Sequence, residues 1–232
     1  MSYKYGPSIV TDGLVFYVDA ANSKSYPGTG TTWSDLVGGN DGTFEPASGP
    51  TYSSANGGSI AFDGTDDWSS HSSVSTAWPV TMSCWVKLDS FVNQPTFMAQ
   101  SDVSANNQFF GFAHILDSGN DILRIYNYNA SYNDARGTTV ISTGQWYHVT
   151  AVFESDTSKK LYLNGVLEAT LTTNTAFPTG IDTMSLSSFQ RGGSLSSGGY
   201  LDGNIACAMV HNKALSTDEI LQNYNALKNR FV

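Results

Sequence analysis

Clusters of Gly, Asn, Asp and Pro interrupt this chain at short intervals from end to end, leaving only short apolar or alternating runs between them. A backbone so densely marked for turns does not sustain long helices. It suits many short antiparallel strands joined by tight connections. The runs that read as strands are Leu14–Asp19, Ser59–Phe62, Thr81–Leu88, Thr96–Gln100, Gln108–Ile115, Ile122–Tyr128, Trp146–Glu154, Lys160–Leu163, Val166–Leu171, Met184–Phe189 and Asn204–His211. Asn164-Gly165 between Leu163 and Val166 is the strongest hairpin signal, because both residues tolerate the positive φ of a type I′ turn.

Alternation assigns faces. Tyr147, Val149, Ala151 and Phe153 share one side of their run, as do Met82, Cys84, Val86 and Leu88 of theirs, and both sets are expected in the core. His148 and Thr150 fall on the opposite side of the first run, and Trp85 with Lys87 on the opposite side of the second. One helix is predicted over 216–228: Ser216 caps it, Glu219 completes a capping box, and Ile220, Tyr224 and Leu227 recur at helical spacing to pack on the strands.

Composition then narrows the function classes. The 232 residues carry a formal charge of −9, which opposes electrostatic binding of nucleic acid, since phosphate neutralisation needs clustered Lys and Arg. The only adjacent basic pair, Lys159-Lys160, reads as a solvated strand start. Charged residues are only 13% of the chain while aromatics reach 12%, so the surface takes its polarity from Ser, Thr and Asn, and disorder is not expected. No apolar run approaches the roughly 20 residues of a membrane helix. Met1 to Pro7 has no apolar signal-peptide core, so assembly in the cytoplasm is expected. Cys84 and Cys207 lie in apolar runs and read as buried thiols.

Four segments in order resemble the laminin-G-like branch of the concanavalin A-like lectin/glucanase superfamily. They are Ser59-Ile-Ala-Phe-Asp-Gly-Thr-Asp-Asp67, Thr81-Met-Ser-Cys-Trp-Val-Lys87, Gly144-Gln-Trp-Tyr-His-Val-Thr150 running into Lys160-Leu-Tyr-Leu-Asn-Gly-Val166, and Leu201-Asp-Gly-Asn-Ile205 through Ser216. The resemblance implies an all-β fold, an antiparallel jelly-roll β-sandwich with a short C-terminal helix, forming one domain over 9–232 behind an N-terminal arm at 1–8. The opening Asp12–Asn22, the Ser25-Tyr-Pro-Gly28 and Trp33-Ser-Asp-Leu36 segments and the ending Ile220–Phe231 are similar to the single-domain version in structural proteins of tailed phages. That implies a virion-surface protein assembled in the host cytoplasm. As a capsid decoration or fibre component it would contact other virion proteins, and its own copies as a homo-oligomer. Relatives often carry acidic residues after the Gly-x-Ile of the last strand, whereas Ile205-Ala-Cys-Ala-Met-Val210 has none.

The superfamily includes glucanases, whose retaining chemistry needs two carboxyls about 5–5.5 Å apart. The four glutamates, Glu45, Glu154, Glu168 and Glu219, do not form the Glu-x-Asp-x-Glu pattern, so no enzyme activity is expected and a glycan hydrolase is only a remote alternative that the fold allows. A hard cation is the second option, because Asp63, Asp66 and Asp67 in one loop could supply several oxygens to a structural Ca²⁺, or else shape the loop as Asx-turns. The third is glycan binding, which uses aromatic faces with polar groups between them. Arg124-Ile-Tyr-Asn-Tyr-Asn-Ala-Ser-Tyr-Asn-Asp134 interleaves both. Alternation puts Arg124, Tyr126 and Tyr128 on one face, expected to be the solvated one because of Arg124. Asn127, Asn129 and Tyr132 complete the candidate glycan or partner site. The expected roles are therefore a non-catalytic virion protein or, in the alternative, a tail-associated lectin for a host-surface glycan. Tyr3, Lys4 and Tyr5 form a candidate docking arm.

Overall fold

The computed structural model describes residues 7–91, 94–195 and 199–231. Its strands are β1 (Leu14–Asp19), β2 (Thr32–Trp33), β3 (Gly42–Glu45), β4 (Thr51–Ser53), β5 (Ser59–Asp63), β6 (Trp68–Ser72), β7 (Val80–Leu88), β8 (Thr96–Ser101) and β9 (Gln108–Asp117). They continue as β10 (Asn120–Asn129), β11 (Ser131–Arg136), β12 (Trp146–Ser155), β13 (Ser158–Leu163), β14 (Val166–Leu171), β15 (Thr183–Leu186), β16 (Gln190–Arg191), β17 (Ser194–Leu195) and β18 (Asp202–His211). The back sheet runs β14-β13-β12-β7-β18-β5-β4, with β1 also paired to β18. The front sheet runs β11-β10-β9-β8-β15-β6-β3-β2, and β16-β17 form a separate small hairpin. Every strand pair is antiparallel. This is the expected jelly-roll sandwich with its single α-helix.

The core lies between the sheets. Met82, Cys84, Val86 and Leu88 of β7 and Tyr147, Val149, Ala151 and Phe153 of β12 meet Met98, Phe110, Phe112, Leu123, Ile125, Met184 and Leu186 of the front sheet. Asn164 and Gly165 have φ of 52° and 84°, the left-handed pair that closes β13 onto β14 with Leu163 opposite Val166.

The other face of the back sheet is covered by the chain's own C-terminal segment. The helix α1 (Thr217–Leu227) starts at Ser216, whose side chain accepts from the Glu219 amide while Glu219 reaches back to the Ser216 amide. Its Tyr224, with Phe231 beyond it, stacks on Trp85, at ring separations of 5.6 and 4.4 Å. Ala206 and Cys207 lie beneath the same cluster, so this stretch of β18 is an apolar floor under aromatic rings. Cys84 faces the inner core and Cys207 this outer cluster, and both are free thiols. The first described residues are tied to the same region: the Val10 amide donates to Asn223 Oδ1, and Gln222 donates to the Ser8 carbonyl. Near the other end, Arg230 holds both oxygens of Asp19 at 3.0 Å.

Two readings of the sequence are corrected. Lys159 is not solvated: it is fully buried, its ammonium donates to the carbonyls of Asp156 and Thr175 and lies 5.8 Å from the centre of the Trp78 ring. Period two places it on the side of Phe153, its partner across β12 and β13, and burial lowers its pKa to about 8. The strands β2, β3, β4, β6, β11, β16 and β17 lie outside the runs expected from the sequence. They are polar or very short, and β6 faces the core with Ser69 and His71, which bond each other at 2.6 Å. No helix among the described residues is long and apolar enough to cross a membrane. Tyr3, Lys4 and Tyr5 lie outside the described residues.

Candidate functional site

The free face of the front sheet is built from every second residue of its strands. Cross-strand register places Thr43, Ser70, Ser185, Ala99, Gly111, Tyr126 and Asp134 in one row across the sheet. A neighbouring row is Ser72, Thr183, Ser101, Phe109, Tyr128 and Tyr132. Small hydroxyl residues therefore cover the β3, β6 and β15 half, where a groove of about 310 Å³ opens between Thr43, Ser70, Ser72 and Thr183. Aromatic residues crowd the β9 to β11 half.

Tyr126 is the centre of the aromatic half. Its ring lies 5.8 Å from Phe109, 6.3 Å from Phe189 and 6.3 Å from Tyr132, and its hydroxyl is 3.2 Å from Thr96 Oγ1. The ring occupies space that only Gly111 leaves: a Cβ there would sit 2.5 Å from the Met98 carbonyl oxygen and 2.8 Å from the Tyr126 hydroxyl. Phe109 also packs on Tyr128 at 5.3 Å, edge to face. Two guanidinium groups border these rings. Arg124 sits 5.5 Å from the Tyr126 centroid, and Arg191 sits 5.6 and 5.7 Å from Phe109 and Phe189, distances at which a cation is attracted by the ring face.

Exposure departs from the expectation in a graded way. Tyr132 is 42% exposed and Tyr126 only 2%, while Arg124 and Tyr128 are intermediate. Alternation put Tyr126 on the correct face, but Phe109, Phe189 and Tyr132 close over it, so it supports the surface instead of forming it. Burial raises its hydroxyl pKa and keeps it protonated. Asn127 is corrected more fully, since it lies in β10 on the side of Leu123 and Ile125 and is wholly buried. Asn129 closes β10 instead of belonging to a loop, and its amide is committed to the Phe177 carbonyl and to Gln108. The usable surface is Tyr128, Tyr132, Arg124 and Arg191. Sequence reasoning missed Phe109, which the register of the β9–β10 hairpin sets beside Tyr128, and Phe189 and Arg191, which pack there from a segment distant in sequence.

The acidic loop is a separate feature. Oxygens of Asp63, Asp66 and Asp67 lie within 4.8 Å of one another. Asp63 Oδ1 accepts from the amides of Thr65 and Asp66, the Asx-turn geometry, and Asp67 Oδ2 accepts from the Asp63 amide. Asp67 Oδ1 is buried with no hydrogen-bond partner among the described residues. Burial first, and the Asp63 carboxylate second, push its pKa up to about 6. A carboxylate in this position lacks a counter-charge among the described residues, so the loop makes its own turns and keeps one buried oxygen unpartnered.

A family model described as concanavalin A-like lectin/glucanases superfamily (Laminin_G_3) matches residues 62–221. The chain belongs to this superfamily. Among solved structures, the lectin-like sandwich is similar to domain 4 of AbnA, a GH43 extracellular arabinanase from Geobacillus stearothermophilus, in complex with arabinotriose: TM-score 0.73, 17% identity, 91% of this chain and 98% of that one. It is similar to Trypanosoma rangeli sialidase (TM-score 0.67, 13% identity), covering 97% of this chain but 34% of that one. It is also similar to the binding domain of Botulinum Neurotoxin DC in complex with SialylT, with TM-score 0.66, 14% identity and coverage of 93% and 52%. At these identities the likeness is one of fold, the lectin-like sandwich of that superfamily. No curated protein matches the chain.

Proposed function

We propose that this protein is a non-catalytic glycan-binding sandwich whose ligand lies on the β9 to β11 half of the front sheet. The observation that carries the reading is the half-exposed platform of Tyr128 and Tyr132 held rigid by the buried Phe109 and Tyr126 beneath it. Sugars pack their C–H faces on such rings and hydrogen-bond to polar groups alongside. Three of the four glutamates have structural partners instead: Glu154 bonds Lys160 and Ser158, Glu168 accepts from the Thr138 and Thr139 amides, and Glu219 closes the helix cap. That distribution favours binding over bond cleavage. The expected result is a hit on a glycan array, with affinity falling about tenfold on Tyr132→Ala as for truncation of a central aromatic contact and the melting temperature unchanged. An array without hits removes the reading.

The virion setting is part of this proposal. Its support is the resemblance of Asp12–Asn22 and Ile220–Phe231 to single-domain structural proteins of tailed phages, and a decoration protein would add stability by binding the assembled shell preferentially. The alternative, a tail-associated lectin, uses the same sugar site at few copies per particle. Copy number and position on the intact particle by cryo-electron microscopy distinguish these two, and absence from the particle removes both.

We also propose that the Asp63, Asp66 and Asp67 loop holds a structural Ca²⁺. The support is the unpartnered, buried Asp67 oxygen within a cluster of hard oxygen donors. Millimolar calcium is expected to raise the melting temperature by several degrees, about what 1–2 kcal/mol of binding linkage delivers. EDTA is expected to reverse it, and Asp67→Asn to abolish it. No shift with either reagent ends the idea.

A further inference from the structure

The chain has four arginines, and they fall into two kinds. Arg136 is paired with Asp117 and Asp134, and Arg230 with Asp19. Arg124 and Arg191 have no carboxylate within 4.0 Å among the described residues, and both border the aromatic cluster of the front sheet. In a chain of net charge −9, acidic partners are plentiful, so two unneutralised guanidinium groups beside one set of rings are informative. Arg124 stands directly opposite Arg136 across β10 and β11, and of these two cross-strand cations only Arg136 has carboxylates of its own chain beside it. The Nε of Arg124 is buried without a partner among the described residues. Both groups act electrostatically on the Tyr126 hydroxyl, lowering its pKa against the larger effect of burial, so their fields overlap at the centre of the platform.

We infer that the glycan bound on this face is acidic, carrying a carboxylate as a uronic or sialic acid does, with the sugar ring on Tyr128 and Tyr132 and the carboxylate held by Arg124 and Arg191. This rests on the glycan-binding reading above. A planar guanidinium matches a carboxylate through two parallel N–H···O bonds. The anion would complete the charge balance that Arg136 obtains from aspartates of its own chain. The rings exclude water on one side of the pair, where the attraction is stronger than in bulk solvent.

The test is calorimetric titration of the whole chain with oligogalacturonate and sialyllactose, their carboxyl-reduced counterparts, a heparin oligosaccharide and arabinotriose. The expected result is binding of at least one carboxylated glycan that weakens as salt rises and is lost on carboxyl reduction. Arg124→Gln and Arg191→Gln are each expected to weaken it about tenfold or more, the loss of a charge-assisted hydrogen bond. Circular dichroism confirms folding of each variant, and Arg124→Lys, which keeps the charge without the planar fork, is expected to recover only part of the affinity. If only neutral glycans bind, or both arginine variants bind as well as the parent chain, the acidic ligand is overturned while the glycan site stands. Binding confined to the sulfated oligosaccharide overturns the carboxylate in the same way. If nothing binds, both readings fail together.

Discussion

Replacing Trp85 by alanine is expected to lower the unfolding free energy by about 3–5 kcal/mol, the range for deleting a fully buried tryptophan. Trp85 is wholly inaccessible, and its ring is stacked 4.4 Å from Phe231 and 5.6 Å from Tyr224. The cavity would open beneath the C-terminal segment, whose aromatic contacts to the back sheet converge on this ring. The loss should therefore appear in two measurements. Urea unfolding gives the total, and amide exchange across 217–227 should rise well before the strands of the front sheet respond. Trp85→Phe retains a ring and is expected to recover much of the difference. A loss under about 1 kcal/mol, or exchange in the helix that matches the parent chain, would show that α1 is anchored elsewhere.

Acid is expected to cost on the order of 3–5 kcal/mol between pH 7 and pH 4, again read by urea unfolding. The cause is burial of the imidazoles, which also lowers His114 and His211 and acts most strongly on two others. Burial lowers His71 from 6.5 to about 4 and His148 from 6.5 to about 3. An unfolded chain binds protons at these sites as the pH drops through 6.5, and the folded chain does not until about 4 and 3, so stability is full above 6.5 and lost on the way down. Asp67 opposes part of this: its folded pKa, raised to about 6 from 3.8, makes the folded state the better proton acceptor between those values. His148 lies beside both Trp85 and Tyr224 with neither ring nitrogen bonded among the described residues. His148→Leu keeps an apolar body there and removes one of the largest titrations, so the greater part of the net acid loss should disappear. A stability that is flat from pH 7 to pH 4.5 contradicts the burial on which this depends.

These two effects show where the chain could be read directly. Trp85, His148 and Thr150 were assigned by alternation to the side of their strands away from Met82 and Val149, and they lie there. The capping box at Ser216 and the Asn164-Gly165 turn were legible because each is a local arrangement of backbone donors and permitted dihedral angles. What alternation could not supply is the cover. It gives the side of a strand on which a residue sits, but what lies above that side depends on segments far away in sequence. Tyr126 was expected in solvent because Arg124 shares its face, yet Phe189 arrives from 63 positions along the chain to shield it. Lys159 looked like a surface cation for a similar reason, and the Thr175 carbonyl that receives it comes from a segment with no strand pattern. The missed β6 and β11 follow from the same physics. A strand with one face open to water and Ser or His on the other carries little apolar periodicity, though its backbone pairs as fully as its neighbours do.

The bonds from Val10 to Asn223, from Gln222 to Ser8 and from Arg230 to Asp19 bring both ends of the described chain onto the back of the sandwich. A scaffold that engages the chain near Ser8 or Arg230 would therefore grip the molecule from behind. The tyrosine and arginine face would then point outward like the palm of a held-up hand, free to meet whatever approaches.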